Sequence, residues 1–182
     1  SGSGNTWYDL SGNDNDFTLY GNPSYNANIN GGVINFDEVD DKAERNNLIH
    51  RSQYTKLVFF YPRSATQNII GGDSGQGHTL WMRNRNNEIF AGHGNVSWET
   101  IRYQPNSGNS ILNNWHFSAV SFSNVDGWKM FYNGAQVATN ANTTQFTGPT
   151  HVKIGSHNNG HYFDGYIPCL LYTSDAADDG LS

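Results

Sequence analysis

The stretch from Trp115 to Ala138 decides the fold class. It reads Trp115-His116-Phe117-Ser118-Ala119-Val120-Ser121-Phe122, then Asn124-Val125-Asp126-Gly127, then Trp128-Lys129-Met130-Phe131-Tyr132, then Asn133-Gly134 and Ala135-Gln136-Val137-Ala138. Three short runs rich in aromatic and β-branched residues are separated by two turn signals, and Asn-Gly suits the type I′ turn, which needs positive φ at both central positions. The pattern predicts a β-meander. Period-two alternation puts Trp128, Met130 and Tyr132 on one face and Lys129 and Phe131 on the other. Trp115 to Phe122 carries apolar residues on both faces, so one face is expected in a core and the other against a partly covered surface.

The same reading extends outward. Phe17–Tyr20, Val33–Phe36, Lys56–Tyr61, Asn68–Ile70, Thr79–Met82, Glu88–Ala91, Thr100–Tyr103, Val152–Ile154 and Tyr166–Ile167 are short strand-like runs. Between them lie turn clusters such as Gly31-Gly32, Gly71-Gly72-Asp73-Ser74-Gly75, Asn84-Arg85-Asn86-Asn87 and Asn158-Asn159-Gly160. Short strands at this spacing predict an all-β sandwich or barrel rather than βαβ units, and no segment has the 3.6-residue apolar period of a long helix.

Composition agrees and narrows the function classes. The 182 residues fit one domain, with 14% charged and 14% aromatic residues and a net charge of −6. The 25 Asn residues, as many as Trp, Tyr and Phe together, carry solubility through uncharged amides and suit Asn/Gly turns. Ten Lys plus Arg give no electrostatic footprint for nucleic acid. No apolar run approaches the ~20 residues that span a bilayer, so membrane insertion is not expected. A lone cysteine, Cys169, excludes an intrachain disulfide.

Several motifs in order resemble the laminin-G-like, concanavalin A-like lectin/glucanase family of extracellular bacterial and phage proteins. Trp7-Tyr8-Asp9-Leu10-Ser11-Gly12-Asn13 with Phe17-Thr18-Leu19 is similar to its opening strand and turn. Phe36-Asp37-Glu38-Val39-Asp40-Asp41 resembles its Phe-Asp-Gly-x-Asp-Asp, with Glu38 at the glycine. Trp115 to Val137 resembles its Trp-His…Tyr-Asn-Gly segment, and Ile154-Gly155 with Phe163-Asp164-Gly165-Tyr166-Ile167 its closing strands. The resemblance implies an antiparallel two-sheet jelly roll over residues 5–167. Residues 1–4 have linker composition. Residues 168–182 would hold the last strand and then a tail, since Cys169 to Asp179 resembles translated adapter read-through of metagenomic fragments.

Catalysis finds little support in the residues. Glucanases of this fold present Glu-x-Asp-x-Glu along one strand face; Glu38-Val39-Asp40-Asp41-Lys42-Ala43-Glu44 has too long a last spacing and reads as a turn with solvated acids. His157-x-x-x-His161 is interrupted by Asn158-Asn159-Gly160, a loop signal, so zinc is not expected. Laminin-G-like domains hold calcium on loop rims, and the resemblance implies Asp73 as the metal candidate, with Asp37, Asp40 and Asp164 behind it.

What remains is an aromatic and amide surface, which suits the apolar faces and hydroxyls of sugars. The candidate ligand-binding residues are Trp81, Arg83, His93, Asn95, Trp98, His157, Asn158, His161 and Tyr162. The expected function is non-catalytic, lectin-like glycan binding, in an extracellular or virion-surface setting by family analogy. The alternatives are a structural or adhesion module, including a homo-oligomer, and then a glycoside hydrolase.

Overall fold

The computed structural model of the chain describes residues 4–65, 67–73, 77–83, 87–105, 110–158, 160–168 and 170–173. Among these residues it contains β-strands and no helix. In chain order they are β1 (Thr6–Trp7), β2 (Phe17–Tyr20), β3 (Ser24–Asn26), β4 (Val33–Asp37), β5 (Lys42–Arg45), β6 (Gln53–Pro62), β7 (Gln67–Gly71) and β8 (His78–Arg83). They continue with β9 (Glu88–His93), β10 (Ser97–Tyr103), β11 (His116–Ser123), β12 (Gly127–Tyr132), β13 (Ala135–Asn140), β14 (Val152–Ile154), β15 (Asp164–Ile167) and β16 (Leu170–Thr173).

Two antiparallel sheets form. The first runs β1-β2-β5-β14-β7-β8-β9-β10, and the second β13-β12-β11-β6-β15-β4-β3 with β16 also paired to β6. This is the two-sheet jelly-roll sandwich read from the sequence. The expected meander is β11-β12-β13, and Asn133 and Gly134 take φ values of 46° and 86°, as the type I′ turn requires. Trp128, Met130 and Tyr132 point inward while Lys129 is exposed.

The core lies between the sheets because each long strand alternates. In β6, Tyr54, Lys56, Val58 and Phe60 are buried, with the residues between them half-buried on the outer face. They pack with Phe36, Ile69, Ile70, Leu80, Phe122, Trp128, Phe146 and Phe163 from both sheets. Burying an aliphatic or aromatic side chain of this size stabilises by about 1.5–3 kcal/mol, so this layer dominates the fold.

One local expectation changes. Lys42–Arg45, read as part of a solvated turn, is a strand between β2 and β14. Its neighbours satisfy its backbone, Ala43 enters the core, and Lys42 pairs with Glu44 at 2.8 Å on the outer face. Four residues of mostly charged sequence carry too little alternation to signal this, and the tertiary pairing decides it. Ser1–Ser3, Cys169 and the tail beyond Thr173 lie outside the described residues, whereas Leu170–Thr173 pairs with Thr55–Val58.

Candidate functional site

A cleft opens on the outer face of the first sheet. It has a volume of about 390 Å³ and is lined by Asn68, Thr79, Trp81, Arg83, Ser97, Trp98, Glu99, His157 and His161. Its floor follows from alternation in β8: His78, Leu80 and Met82 are buried, which turns Thr79, Trp81 and Arg83 outward. Phe90 lies opposite Trp81 in the β8–β9 register, and the two rings stack with centroids 5.1 Å apart.

One wall comes from a bulge. Ser97 pairs with His93 and Ile101 with Ala91, so three residues of β10 oppose one of β9, and the excess chain carries Trp98 and Glu99 to the cleft. Gly92 permits this. A Cβ there would collide with the carbonyl oxygen of Ser97, so the backbone of β10 approaches closely only over glycine. The Trp98 carbonyl accepts bonds from Thr79 Oγ1 at 3.3 Å and Trp81 Nε1 at 3.4 Å, tying wall to floor.

The β14–β15 loop makes the other wall. His157 and Gly160 exchange backbone hydrogen bonds of 3.1 and 3.0 Å, and the Asn68 N–H donates to the His161 carbonyl at 3.2 Å. The His157 ring meets Trp98 edge to face at 5.3 Å. Burial, followed by the nearby positive groups His161, Lys153 and Lys56, lowers the His157 pKa, so the ring is neutral at pH 7. Its Nδ1 is buried with no hydrogen-bond partner among the described residues, leaving an atom able to bond a ligand hydroxyl.

Charge in the cleft is balanced. Arg83 Nη2 pairs with Glu99 Oε1, and the Arg83 guanidinium carbon sits 4.9 Å from both the Trp81 and Phe90 ring centroids. The guanidinium is thus held by one carboxylate and two aromatic rings.

Five of the nine candidate binding residues meet in this cleft: Trp81, Arg83, Trp98, His157 and His161. Four do not line it. His93 is a correction, being 0% exposed inside the sandwich. Its Nε2 donates to the Thr144 carbonyl at 3.0 Å and its Nδ1 accepts from Tyr54 at 3.1 Å, so neither nitrogen is left for a ligand. Asn95 is exposed but its Nδ2 donates to the Gln145 carbonyl at 2.5 Å. Asn158 shapes the tight loop at φ 50°, and Tyr162 is half-buried beside the cleft sequence without lining it. Thr79, Ser97 and Glu99 flank the chosen residues in sequence, so their neighbourhood was legible. Asn68 had no signal, because a register shift in β7 places it opposite Trp81.

Asp73 does not fit calcium. Its carboxylate accepts from Lys153 Nζ at 2.8 Å and His151 Nδ1 at 2.9 Å. Partial burial opposes ionisation there, and those two donors outweigh it to keep the pKa low. A divalent cation would have to displace an ammonium group. Asp164 is likewise taken, by Arg63 at 2.6 Å. Asp37, Asp40 and Asp41 differ: their carboxylate oxygens lie within 4.8 Å of one another. Asp41 is only 3% exposed, and one oxygen accepts from the Asp37 N–H at 3.1 Å while the other has no partner among the described residues. Burial, then the charges of Asp37 and Asp40, push its pKa up to about 6. An all-oxygen set of this kind matches the ligand preference of a hard cation.

Residues 36–176 match the family model of the concanavalin A-like lectin/glucanases superfamily. The chain belongs to this superfamily. No curated protein matches the sequence. Among solved structures, this superfamily member is similar to domain 4 of AbnA, an extracellular arabinanase from Geobacillus stearothermophilus, in complex with arabinotriose. The TM-score is 0.66 and the identity 18%, covering 84% of this chain and 75% of that one. It is also similar to the botulinum neurotoxin serotype D ligand binding domain in complex with N-acetylneuraminic acid, with TM-score 0.72, 15% identity and 92% coverage of this chain. The chain spans 44% of that toxin domain. At these identities the likeness concerns the fold.

Proposed function

We propose that this superfamily member is a non-catalytic, lectin-like domain that binds extracellular or cell-surface glycans in the cleft. The observation that carries the reading is the convergence of two indoles, two imidazoles, an amide and a balanced Arg–Glu pair around about 390 Å³. That volume lies within the usual ~300–1,000 Å³ of small-ligand sites. Indole faces would pack on sugar C–H groups, while Asn68, His157, Ser97 and Arg83 would serve the hydroxyls. The solved relatives bound to arabinotriose and to N-acetylneuraminic acid support a sugar ligand on this fold.

The same geometry speaks against hydrolysis. Glycosidases flank the scissile bond with two carboxyl groups roughly 5–9.5 Å apart, and the described lining offers a single acid, Glu99, already paired with Arg83. Calcium, where bound, would be held by Asp37, Asp40 and Asp41 and would neutralise the buried Asp41 charge. No helix of the described residues is long and apolar enough to cross a membrane.

The test is a glycan array followed by isothermal titration calorimetry on the best ligand. Binding that Trp98→Ala weakens strongly is expected, and release of reducing sugar from that ligand would overturn the non-catalytic reading. A second reading, adhesion to protein or self-association, rests on a separate apolar groove of about 250 Å³ lined by Trp7, Tyr8, Leu10, Tyr25 and Pro168. Tyr8 and Leu10 are exposed there. Silence across the array together with a stable oligomer in sedimentation would favour it.

A further inference from the structure

We propose that the cleft selects neutral oligosaccharides over sialic- or uronic-acid-bearing ones, and that Glu99 sets this selectivity by occupying Arg83. The inference rests on the glycan-binding reading and adds the chemical class of the glycan.

Arg83 is the sole Lys or Arg in the described lining, so it is the group that would receive a sugar carboxylate. A guanidinium recognises a carboxylate through its N–H groups, two at a time in the strongest geometry. Here Nη2 is already bonded to Glu99 Oε1, and the guanidinium carbon is fixed 4.9 Å from two aromatic centroids. An acidic sugar reaching Arg83 would therefore either displace Glu99 or sit beside its negative charge. Either route costs free energy, since two carboxylates would share one cation. Glu99 is carried by the β10 bulge and is 34% exposed, so displacing it gives up its ion pair with Arg83.

The remaining polar groups suit hydroxyls. His157 is uncharged, and its unpartnered Nδ1 can bond an O–H without requiring an anion. Asn68, Thr79 and Ser97 contribute neutral donors and acceptors. A guanidinium has five N–H groups, so one ion pair leaves it able to bond a neutral sugar oxygen while still paired. The fold alone does not decide the matter, because one similar structure holds a neutral arabinose trimer and another holds the anionic N-acetylneuraminic acid.

The experiment measures affinity ratios for matched pairs at pH 7.5 by calorimetry: lactose against 3′-sialyllactose, and xylotetraose against its glucuronic-acid-substituted counterpart. For the pair that binds, wild type is expected to favour the neutral member at least tenfold. Glu99→Gln removes the competing carboxylate charge beside the guanidinium and shifts the ratio at least tenfold toward the acidic member. The double variant Glu99→Gln with Arg83→Gln loses that shift, which assigns it to the guanidinium. Circular dichroism confirms folding, and Glu99→Ala serves in the same role should the Gln variant misfold. A wild-type preference for the acidic member, or a ratio unmoved by Glu99→Gln, overturns the inference while leaving glycan binding intact. No binding of any oligosaccharide by wild type, here or on the array, overturns the glycan reading and this inference with it.

Discussion

The cleft and the core beneath it use the same residue types to opposite ends. In the core, Trp128, Tyr54, His93, Phe122 and Phe146 pack ring against ring at 4.7–6.5 Å, with Lys56 below. The Lys56 amino group is 0% exposed, 5.2 Å from the Tyr54 ring, and donates to the Thr79 carbonyl at 3.0 Å. In the cleft, Trp98, Trp81 and His157 meet beside Arg83. The core rings cover one another, whereas the cleft rings border open volume. What separates them is one step of β8 and β9 alternation and the bulge of β10, which raises a wall bordering the cleft volume. Aromatic and histidine content therefore does not distinguish the cleft from the core; ring surface that borders open volume does.

The largest test of that contrast is acid. His93 is desolvated and its pKa is pushed down to about 4. A folded-state pKa below the unfolded value of ~6.5 means that the unfolded chain binds the extra proton, so stability is complete above pH 6.5 and falls as pH drops toward 4. The shift corresponds to about 3 kcal/mol over that window. Urea titrations at pH 7.5 and 4.5 should show wild type losing stability on acidification. Replacing His93 by Gln should flatten the loss much more than replacing the cleft histidine His157 does. Equal effects would erase the distinction between core and cleft.

Binding gives the complementary result. Trp98→Ala is expected to weaken glycan affinity about thirtyfold, the ~2 kcal/mol of an interface hot spot, in calorimetry. Trp128→Phe, in the core, should lower Tm without changing affinity. Affinity loss in the Trp128 variant alone would place the site elsewhere.

The two cations extend the comparison. Burial holds the Lys56 pKa well below its usual value, so the folded state discourages the charge that the unfolded chain carries. Lys56→Met should raise stability at pH 7 by about 1–2 kcal/mol, as replacement of buried charges by apolar residues often does. Arg83→Met, at the part-exposed rim, should change stability by less than about 0.5 kcal/mol.

The last effect concerns Asp41, outside both regions. Its folded pKa of about 6 exceeds the unfolded 3.8, so its contribution is present below pH 3.8 and lost as pH rises through 6. Asp41→Asn should gain about 1 kcal/mol at pH 7.5, roughly 2–4 °C in Tm, and nothing at pH 3.5. Millimolar calcium should raise the wild-type Tm and leave the variant unmoved.

Sequence determined the all-β class, the meander and the type I′ turn at Asn133-Gly134, because these follow from local alternation and turn chemistry, and the order of its motifs carried the resemblance to the superfamily. It also picked out Trp81, Arg83, Trp98, His157 and His161 as sugar-compatible residues. It erred at His93, whose flanks His93-Gly94-Asn95 read as a loop although the ring enters the core as the last residue of β9. It left Asn68 and the Arg83–Glu99 pairing unseen, and it placed calcium on an Asp73 that Lys153 already neutralises. Those outcomes depend on register shifts in β7 and β10 and on partners about 16 to 80 residues apart in the chain. Local sequence sets which face a side chain prefers. Only the pairing of distant strands decides whether that face meets another ring, an opposite charge or open space.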